Sequence, residues 1–465
     1  MDSKKLKKFL LYGTGSLLGI QAARMLARAL AGKSLDRTIK ILMEDLFDEN
    51  LWELISAGNR IGWQNIVETN LRSAEGKMIT RPMGSPKKFP SLDDLVFTFS
   101  QLHNMPTPLE EKIDTTVVIG KKAKKPFVIS MPIMIAPMAY GEALSKKAKI
   151  ALAMGSAAAG TATNTGEGPF IQEERDAAKY LIYQYNRGDW GKTPDIISQC
   201  DAVEIQLGQG ALGGVGHVLY AGKIDASLRK DFAFPKGKDA VAHSRQPGMK
   251  EPKDLASLAA KLKKIGGGIP IGVKMAAGKH LESDLRIICE AGIDFISLEG
   301  AEAATKASPP MLQDDFGVPI VFAIKRAANW LKENGYHKEV TLIAAGKIRT
   351  PGDVLKAVAL GADAVYMGAV ALFAMSHTQV LKALPFEPPT QIVWYGGKYA
   401  NKLNVKEGAK SLSRFLRACK EELVTGIQAL GKTSISEVGH EDLMALNELI
   451  AKGCNIPMVY EPFKQ

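Results

Sequence analysis

Two glycine-containing turns end apolar, strand-like segments in the second half of the sequence. Gly346 and Lys347 close the segment VTLIAAGK, and Gly368 and Ala369 close AVYMGA. A glycine turn that leads into a helix leaves backbone N–H groups to bind an anion, and paired turns after the last two strands of a β/α barrel often hold phosphate. We therefore predict a phosphate site at these four residues. The alternative is two ordinary glycine turns with an exposed lysine.

A lysine near the end of another apolar segment also points to a ligand. Lys274 lies in GVKM, and an ammonium group buried there without a partner would be strongly destabilising. We expect an anionic neighbour, and the N1–C2=O edge of a flavin ring fits because a cation stabilises the reduced ring. Alternatively, the lysine extends past the strand end to solvent.

Polar side chains cluster in two further segments. Residues 163–168 read TNTGEG, and Glu204, Gln206 and Gln209 lie in or directly after the segment VEIQLGQG. The first segment is predicted to be a polar loop of a site. Carboxylates and amides that face the inside of a protein must meet a ligand or one another, so the second set predicts either a binding site or a buried hydrogen-bond network.

Short apolar segments alternate with helical patterns through the middle of the chain. The candidate residues described above lie in or directly after such segments. Whether they meet in space therefore depends on how the segments are arranged. The strand-like segments are VISMPIMIA, AVEIQL, IPIGVKM, IDFISL, VTLIAAG and AVYMGA. The helical patterns between them end at or near glycine, as helices commonly do. Such alternation is typical of a parallel sheet with right-handed crossovers, and the number of repeats favours a TIM (β/α)8 barrel.

The remaining sequence predicts helical extensions at both ends of this barrel. We expect an N-terminal helical extension and linker over residues 1–90, the barrel over 91–385, and a C-terminal helical extension over 386–465. Apolar residues at helical spacing run from about residue 35 to 75. In the C-terminal part, Val405–Leu430 is predicted to be one long helix and Glu441–Lys452 a short one.

The segment Phe9–Leu30 is apolar and follows four lysines, so it could contact a membrane or a partner. Arg24 and Arg28 interrupt it, which leaves it short of the roughly 20 residues that span a bilayer. An amphipathic or partner-docking helix is the first interpretation, and a short membrane anchor is the second. We therefore expect a cytoplasmic protein that is possibly membrane-associated.

Charge and cysteine usage exclude several other classes of function. The net charge of +11 is scattered, and no aromatic residues interleave the lysine runs, so nucleic-acid binding is not expected. The cysteines match no zinc or iron–sulfur spacing, and no metal site is expected. The four residues are read as reduced thiols: Cys200, Cys289, Cys419 and Cys454.

Together, the motifs resemble those of a known enzyme family. In order, they are residues 137–145 (PMAYGEALS), ATNTGEG, EIQLGQGA, VKMAAG, ATKASP, LIAAGKIRT and GADAVYMGAVAL. This set, over roughly residues 90 to 375, resembles the FMN-binding domain of glutamate synthase and its stand-alone relatives. In that family, reduced FMN passes hydride to the 2-iminoglutarate formed from 2-oxoglutarate and ammonia.

The resemblance implies a role for each matching residue. Glu167, Gln209 and Lys274 are the expected catalytic residues. The expected substrate-binding residues are Glu167, Gln209, His217 and Arg229. The residues expected to bind FMN are Met138, Ala139, Asn164, Gln206, Lys274, Thr305, Gly346, Lys347, Gly368 and Ala369.

Three segments depart from the family pattern. The family has the segment QGAKPG, whose lysine pairs with a substrate carboxylate, and here Leu212 stands in its place. Recognition of 2-oxoglutarate then requires another cation, for which His217, Lys223 or Arg229 are candidates. Residues 303–307 (AATKA) stand where the family favours glycines, and Lys347 replaces a glycine of the phosphate loop. The added charge could serve the FMN phosphate or an anionic substrate.

Two features of the family are absent from this sequence. Residues 375–418 contain no cysteine to bind a [3Fe–4S] cluster, and the chain does not start with the cysteine of a glutaminase domain. Electrons are thus expected from a donor protein or a nicotinamide, and nitrogen from ammonia. The alternatives are an electron-relay subunit, an FMN oxidoreductase for an unrelated substrate, and a scaffold that has lost flavin. A homo-oligomer is expected.

Overall fold

The computed structural model describes residues 3–44, 46, 52–305, 308–384 and 388–462. The chain divides into two compact units, one up to Ile79 and one from Thr80 onward. The first unit is helical, with helices Ser3–Glu44, Trp52–Ala57 and Trp63–Glu75 and a π-helical turn Gly58–Gly62. Across the described part of the chain, every helix is too short or too polar to cross a membrane. The predicted three-part division of the chain stays a prediction.

The second unit is built on eight parallel strands that follow one another around a single sheet. We label them β1 to β8 in chain order. Their bounds are Ile133–Ile135 (β1), Ala162–Asn164 (β2), Tyr180–Tyr185 (β3), Ala202–Gln206 (β4), Ile271–Ala276 (β5), Phe295–Glu299 (β6), Thr341–Ala345 (β7) and Ala364–Met367 (β8).

The sheet closes on itself at its first and second strands. β8 pairs with β1, and the N–H of Ser130, just before β1, donates to the carbonyl of Gly160, just before β2, at 3.0 Å. The strands are buried on both faces, as expected when helices cover the outside of a barrel and side chains fill the inside. The predicted TIM barrel with helical extensions at both ends is confirmed.

Helices connect the strands along the outside of the barrel. Their bounds are Lys146–Ala158, Gln172–Ala177, Pro194–Ser198, Asp254–Ile265, Leu281–Glu290, Pro310–Asp314, Ile320–Glu333, Pro351–Ala359 and Ala369–Ser376. The sequence at the start of the helix after β7 shows why a helix begins there. Thr350 accepts from the N–H of Asp353, the Asp353 carboxylate accepts from the N–H of Thr350, and Pro351 occupies the first turn.

Two short hairpins decorate the barrel. Val117–Ile119 pairs with Phe127–Ile129 before β1, so only the second half of the predicted strand VISMPIMIA belongs to the barrel. After β4, His217–Leu219 pairs with Ala240–Ala242. The helix Ala226–Phe232 lies between the two strands of this second hairpin, and its Leu228 and Phe232 are buried.

The C-terminal part packs against the barrel. Its long helix, Val405–Ala429, lies against Lys146–Ala158 so closely that a Cβ at Gly155 would come 2.8 Å from Leu412 Cδ2. The predicted helix Glu441–Lys452 is wrong in its first half. There, Leu443–Ala445 is a strand that pairs antiparallel with Leu95–Phe97, because its alternating burial suits a strand and not a helix.

Smaller elements complete this unit. They are the helices Pro388–Val393 and Glu448–Cys454 and the 3-10 turns Leu92–Asp94, Ala221–Lys223, His377–Lys382, Ala400–Lys402, Ile435–Glu437 and His440–Asp442. All four cysteines are buried and unpaired, and burial raises the pKa of each thiol.

Candidate active site

Polar side chains gather where four of the eight strands end. Asn164 ends β2, Gln206 ends β4, and Glu299 ends β6. Lys274 of β5 stands between Gln206 and Ser297 in the strand register. Because the carboxyl ends of parallel strands meet at one mouth of a barrel, these side chains share the location where barrels perform their chemistry.

Glu204 anchors a hydrogen-bond network just below this mouth. Its carboxylate accepts from the Asn164 amide at 3.1 Å, from the Ser297 hydroxyl at 2.5 Å and from the Tyr366 hydroxyl at 3.0 Å. Complete burial raises the pKa of Glu204, although the charge of Lys274 and these hydrogen bonds oppose the rise. Glu204 thus belongs to the buried network that the sequence left as an alternative, and the network fixes the side chain of Asn164.

Lys274 meets a protein carboxylate. Its Nζ lies 3.2 Å from Glu299 Oε1 and 3.4 Å from the amide oxygen of Gln209, and the other Glu299 oxygen accepts from the N–H of Gly210 at 2.6 Å. The expected anionic neighbour is therefore already present in Glu299, so the burial of this lysine does not by itself require a flavin.

A second ion cluster lies beside the first. Gln206 donates to one oxygen of Glu167 at 2.7 Å, and the other oxygen lies 3.3 Å from His217 Nε2. The same His217 nitrogen lies 3.1 Å from Glu142 Oε2. The structure therefore joins two predicted substrate-binding residues, Glu167 and His217, and adds Glu142.

Glu167 and His217 stabilise each other in their charged forms. Burial alone would raise the pKa of Glu167, but the charge of His217 and hydrogen bonds from His217 and Gln206 lower it to about 2. Burial alone would lower the pKa of His217, but the charge of Glu167 and bonds to both carboxylates raise it to about 11. The cluster therefore holds an imidazolium between two carboxylates at neutral pH.

The loop that carries Glu167 is held in place by a glycine and by two hydrogen bonds. Gly166 has φ +68°, and a Cβ there would lie 2.5 Å from the backbone N of Ala139, so only glycine fits. Asn164 Oδ1 accepts from the N–H of Gly166 at 2.9 Å, and the Trp190 indole donates to the Glu167 carbonyl at 2.8 Å. These contacts bring Met138 and Ala139 against the loop, as the predicted site requires.

Two buried amide atoms at the mouth have no partner among the described residues. They are Gln206 Oε1 and Gln209 Nε2. Gln206 is completely buried and Gln209 is 7% exposed. A buried polar atom without a partner costs roughly 1–3 kcal/mol, so native proteins usually supply a ligand or water there. A polar ring at the mouth would supply both an acceptor and a donor.

The two predicted phosphate turns end adjacent strands. β7 and β8 pair directly, and Gly346 and Gly368 follow them. Gly346 is buried with φ +135°, and Lys347 is exposed with φ +52°, a conformation uncommon for residues other than glycine. Gly368 precedes the helix Ala369–Ser376, whose first N–H groups lack partners within the helix. The phosphate site at these turns stays a prediction.

The other predicted residues are less closely tied to the mouth. Arg229 is half-buried and donates to the carbonyl of Ile224 at 2.7 Å, at the base of its own helix. Thr305 is half-buried, and Lys306 lies outside the described residues. Leu212 is buried and contributes no charge, and Lys223 is exposed.

Four members of the site were not assigned a role from the sequence. Glu142 lies within the quoted motif PMAYGEALS, where it is the one charged residue, so its type was a usable signal. Ser297 and Tyr366 lie in apolar segments, Glu299 directly follows one, and each meets its partner from another strand. Sequence spacing carries no information about such contacts.

Comparison with known proteins decides the family. A family model described as a conserved region in glutamate synthase matches residues 80–433. The chain belongs to the glutamate synthase family. This assignment confirms the resemblance seen in the motifs and the expected class of enzyme, a glutamate synthase-like oxidoreductase.

Individual relatives agree with the family model. A glutamate synthase large subunit-like protein of Rhizobium meliloti is 33% identical over 84% of this chain and 93% of its own length. An archaeal-type glutamate synthase [NADPH] of Dehalococcoides mccartyi is 31% identical over 80% of this chain and 78% of its own length. An archaeal glutamate synthase [NADPH] of Archaeoglobus fulgidus is 31% identical over 74% and 72%.

Proposed function

We propose that this member of the glutamate synthase family is an FMN-dependent oxidoreductase that reduces 2-iminoglutarate, or a related imino or 2-oxo acid, to an amino acid. The observation that carries the proposal is the pair of turns at Gly346 and Gly368. They end adjacent strands at the same mouth that holds the buried cluster of polar side chains. Small-molecule chemistry at such a mouth is the rule for β/α barrels.

The residues present fit FMN. Its phosphate would be held by Gly346, Lys347, Gly368 and Ala369, where a helix N-terminus and an exposed lysine favour an anion. Its ring would satisfy the amide atoms of Gln206 and Gln209 that have no partner among the described residues. Asn164 and Ala139 would line the ring, because the Gly166 turn holds their segments together. When bound, FMN supplies hydride transfer.

The chain's own residues would bind and orient the substrate. At the mouth, Glu167 lies 3.3 Å from His217 Nε2, and the protonated His217 could donate a hydrogen bond or a proton to an imine or carbonyl. Gln209 offers an amide N–H, since its Nε2 has no partner in the described part of the chain. Lys274 keeps a positive charge beside Gln209, although Glu299 balances it.

The electron donor is proposed to be a nicotinamide or a donor protein. Two of the relatives above carry NADPH in their names. Residues 375–418 of this chain contain no cysteine, so they cannot bind an iron–sulfur cluster through thiolates.

A spectrum and a reoxidation experiment test the proposal. The purified protein should be yellow, or take up FMN on incubation, and the reduced protein should be reoxidised under anaerobic conditions by 2-oxoglutarate with ammonium. A protein that neither contains nor takes up flavin would refute the proposal. A flavoprotein that is not reoxidised by this mixture, or by a panel of other 2-oxo acids with ammonium, would instead be an electron-relay subunit.

A further inference from the structure

The cluster of Glu142, Glu167 and His217 has the composition of a metal site. The donor atoms of the three side chains all lie within 4.8 Å of one another. His217 Nε2 lies 3.1 Å from the Glu142 oxygen and 3.3 Å from the Glu167 oxygen. A cation about 2.1 Å from each donor would place neighbouring donors about 3.0–3.4 Å apart, so the two measured separations suit a shared cation.

Neighbouring residues orient the side chains of the cluster. Gln206 orients Glu167 with a hydrogen bond of 2.7 Å, and Trp190 holds the Glu167 backbone at 2.8 Å. Residues that orient metal ligands in this way are a regular part of metal sites.

A bound cation would give an anionic substrate a positive charge to bind. Lys274 is balanced by Glu299, and Leu212 is buried and uncharged. Arg187 is buried, and its guanidinium donates to the carbonyls of Gly214 and Val215. Lys274 and Arg187 are therefore already engaged within the protein, and neither is available to pair with an anionic substrate.

We propose that Glu142, Glu167 and His217 bind a divalent cation such as Mn²⁺ or Zn²⁺ in place of the proton on His217, and that its open coordination positions take the carboxylate of an anionic substrate. Two carboxylates and one imidazole suit these ions, and three protein ligands leave positions for water or substrate. The cation site stands on the geometry of the cluster, whereas the role in substrate binding rests on the proposed function.

Metal titration tests the site directly. After treatment with a chelator, the protein is titrated with Zn²⁺ by calorimetry and with Mn²⁺ by electron paramagnetic resonance. We expect one site per chain, weakened at least tenfold in Glu142→Gln and in His217→Gln. His243→Gln is the matched control, since His243 pairs with Asp189 at 3.5 Å outside the cluster. No saturable binding, or equal affinity in all four proteins, would overturn the proposal.

A measurement on the unaltered protein guards against variants that fail to fold. Pulsed electron paramagnetic resonance of bound Mn²⁺ should show coupling to an imidazole nitrogen, and a spectrum without that coupling would exclude His217 as a ligand. Bound cation should also tighten 2-oxoglutarate binding about tenfold, and the acid should tighten cation binding by the same factor. If the cation binds without this coupling, the role in substrate binding is wrong. Flavin absorbance of the same samples tests the proposed function separately.

Discussion

Replacement of Lys274 separates its structural role from a role towards a flavin. The side chains of Lys274 and Glu299 are 3% and 9% exposed, and their charged atoms lie 3.2 Å apart. Lys274→Met would leave the Glu299 carboxylate buried without its cation, which typically costs about 3–5 kcal/mol of unfolding free energy. The loss of the 3.4 Å contact with Gln209 adds little, because the contact is long.

The double variant Lys274→Met/Glu299→Gln should recover most of this loss. Both charges are then absent, and the introduced amide keeps an oxygen to accept from the N–H of Gly210, so stability within about 2 kcal/mol of the starting protein is expected. Chemical denaturation measures the free energies. A loss below about 1 kcal/mol in the single variant, or no recovery in the double variant, would show that the ion pair does not control stability here.

The flavin reduction potential gives the second measurement. Loss of a cation near the reduced ring should make the potential more negative in Lys274→Met, and loss of the anion in Glu299→Gln should shift it in the opposite direction. In the double variant the two shifts should largely cancel. Lys121→Met is the control, because it breaks an ion pair with Asp363 at the opposite end of the barrel. A potential in Lys274→Met equal to that of the starting protein would refute a flavin-facing role for Lys274.

Three further predictions concern other parts of the fold. Burial raises the pKa of Glu302 from 4.5 to about 7. The unfolded chain therefore releases this proton first, and stability should fall by about 3 kcal/mol as the pH rises between these values; Glu302→Gln should abolish that fall in denaturation curves recorded from about pH 4 to 8. Gly166→Ala should weaken FMN binding at least tenfold in fluorescence titrations, because its Cβ would lie 2.5 Å from the Ala139 backbone; unchanged affinity would contradict the packing of these loops. Lys149→Met should cost about 3–5 kcal/mol, since Lys149 pairs with Glu174 at 2.9 Å in a completely buried position; a melting temperature within one degree of the original would argue against that pair.

The sequence predicted the parts of the barrel that depend on local patterns. β4 to β8 coincide with the predicted strand-like segments, which are mainly apolar, and most of the predicted helices ended near a glycine that the structure also shows at their ends. β2 was missed as a strand because it is only Ala162–Asn164, and its small polar residues gave the pattern of a loop. β3, Tyr180–Tyr185, was missed although it is rich in aromatic residues, since no glycine or proline marks its limits.

The site was predictable in residue type but not in pairing. Gln206, Gln209 and Lys274 were recognisable as polar side chains out of place in apolar segments. Their partners come from distant parts of the chain: Tyr366 reaches Glu204 across 162 positions of sequence. Contacts at such separations depend on closure of the barrel, which no local pattern encodes.

The strand pair Leu95–Phe97 and Leu443–Ala445 joins a segment near the start of the second unit to a segment near its end. Two further bonds reinforce it, from the N–H of Thr98 to the Asp442 carbonyl at 3.1 Å and from the N–H of Leu446 to the Asp94 carbonyl at 2.9 Å. Neighbouring ends allow circular permutation. The residues that flank this strand pair could be joined by a peptide and the unit cut open at an exposed loop. A fused domain could then be attached at that loop.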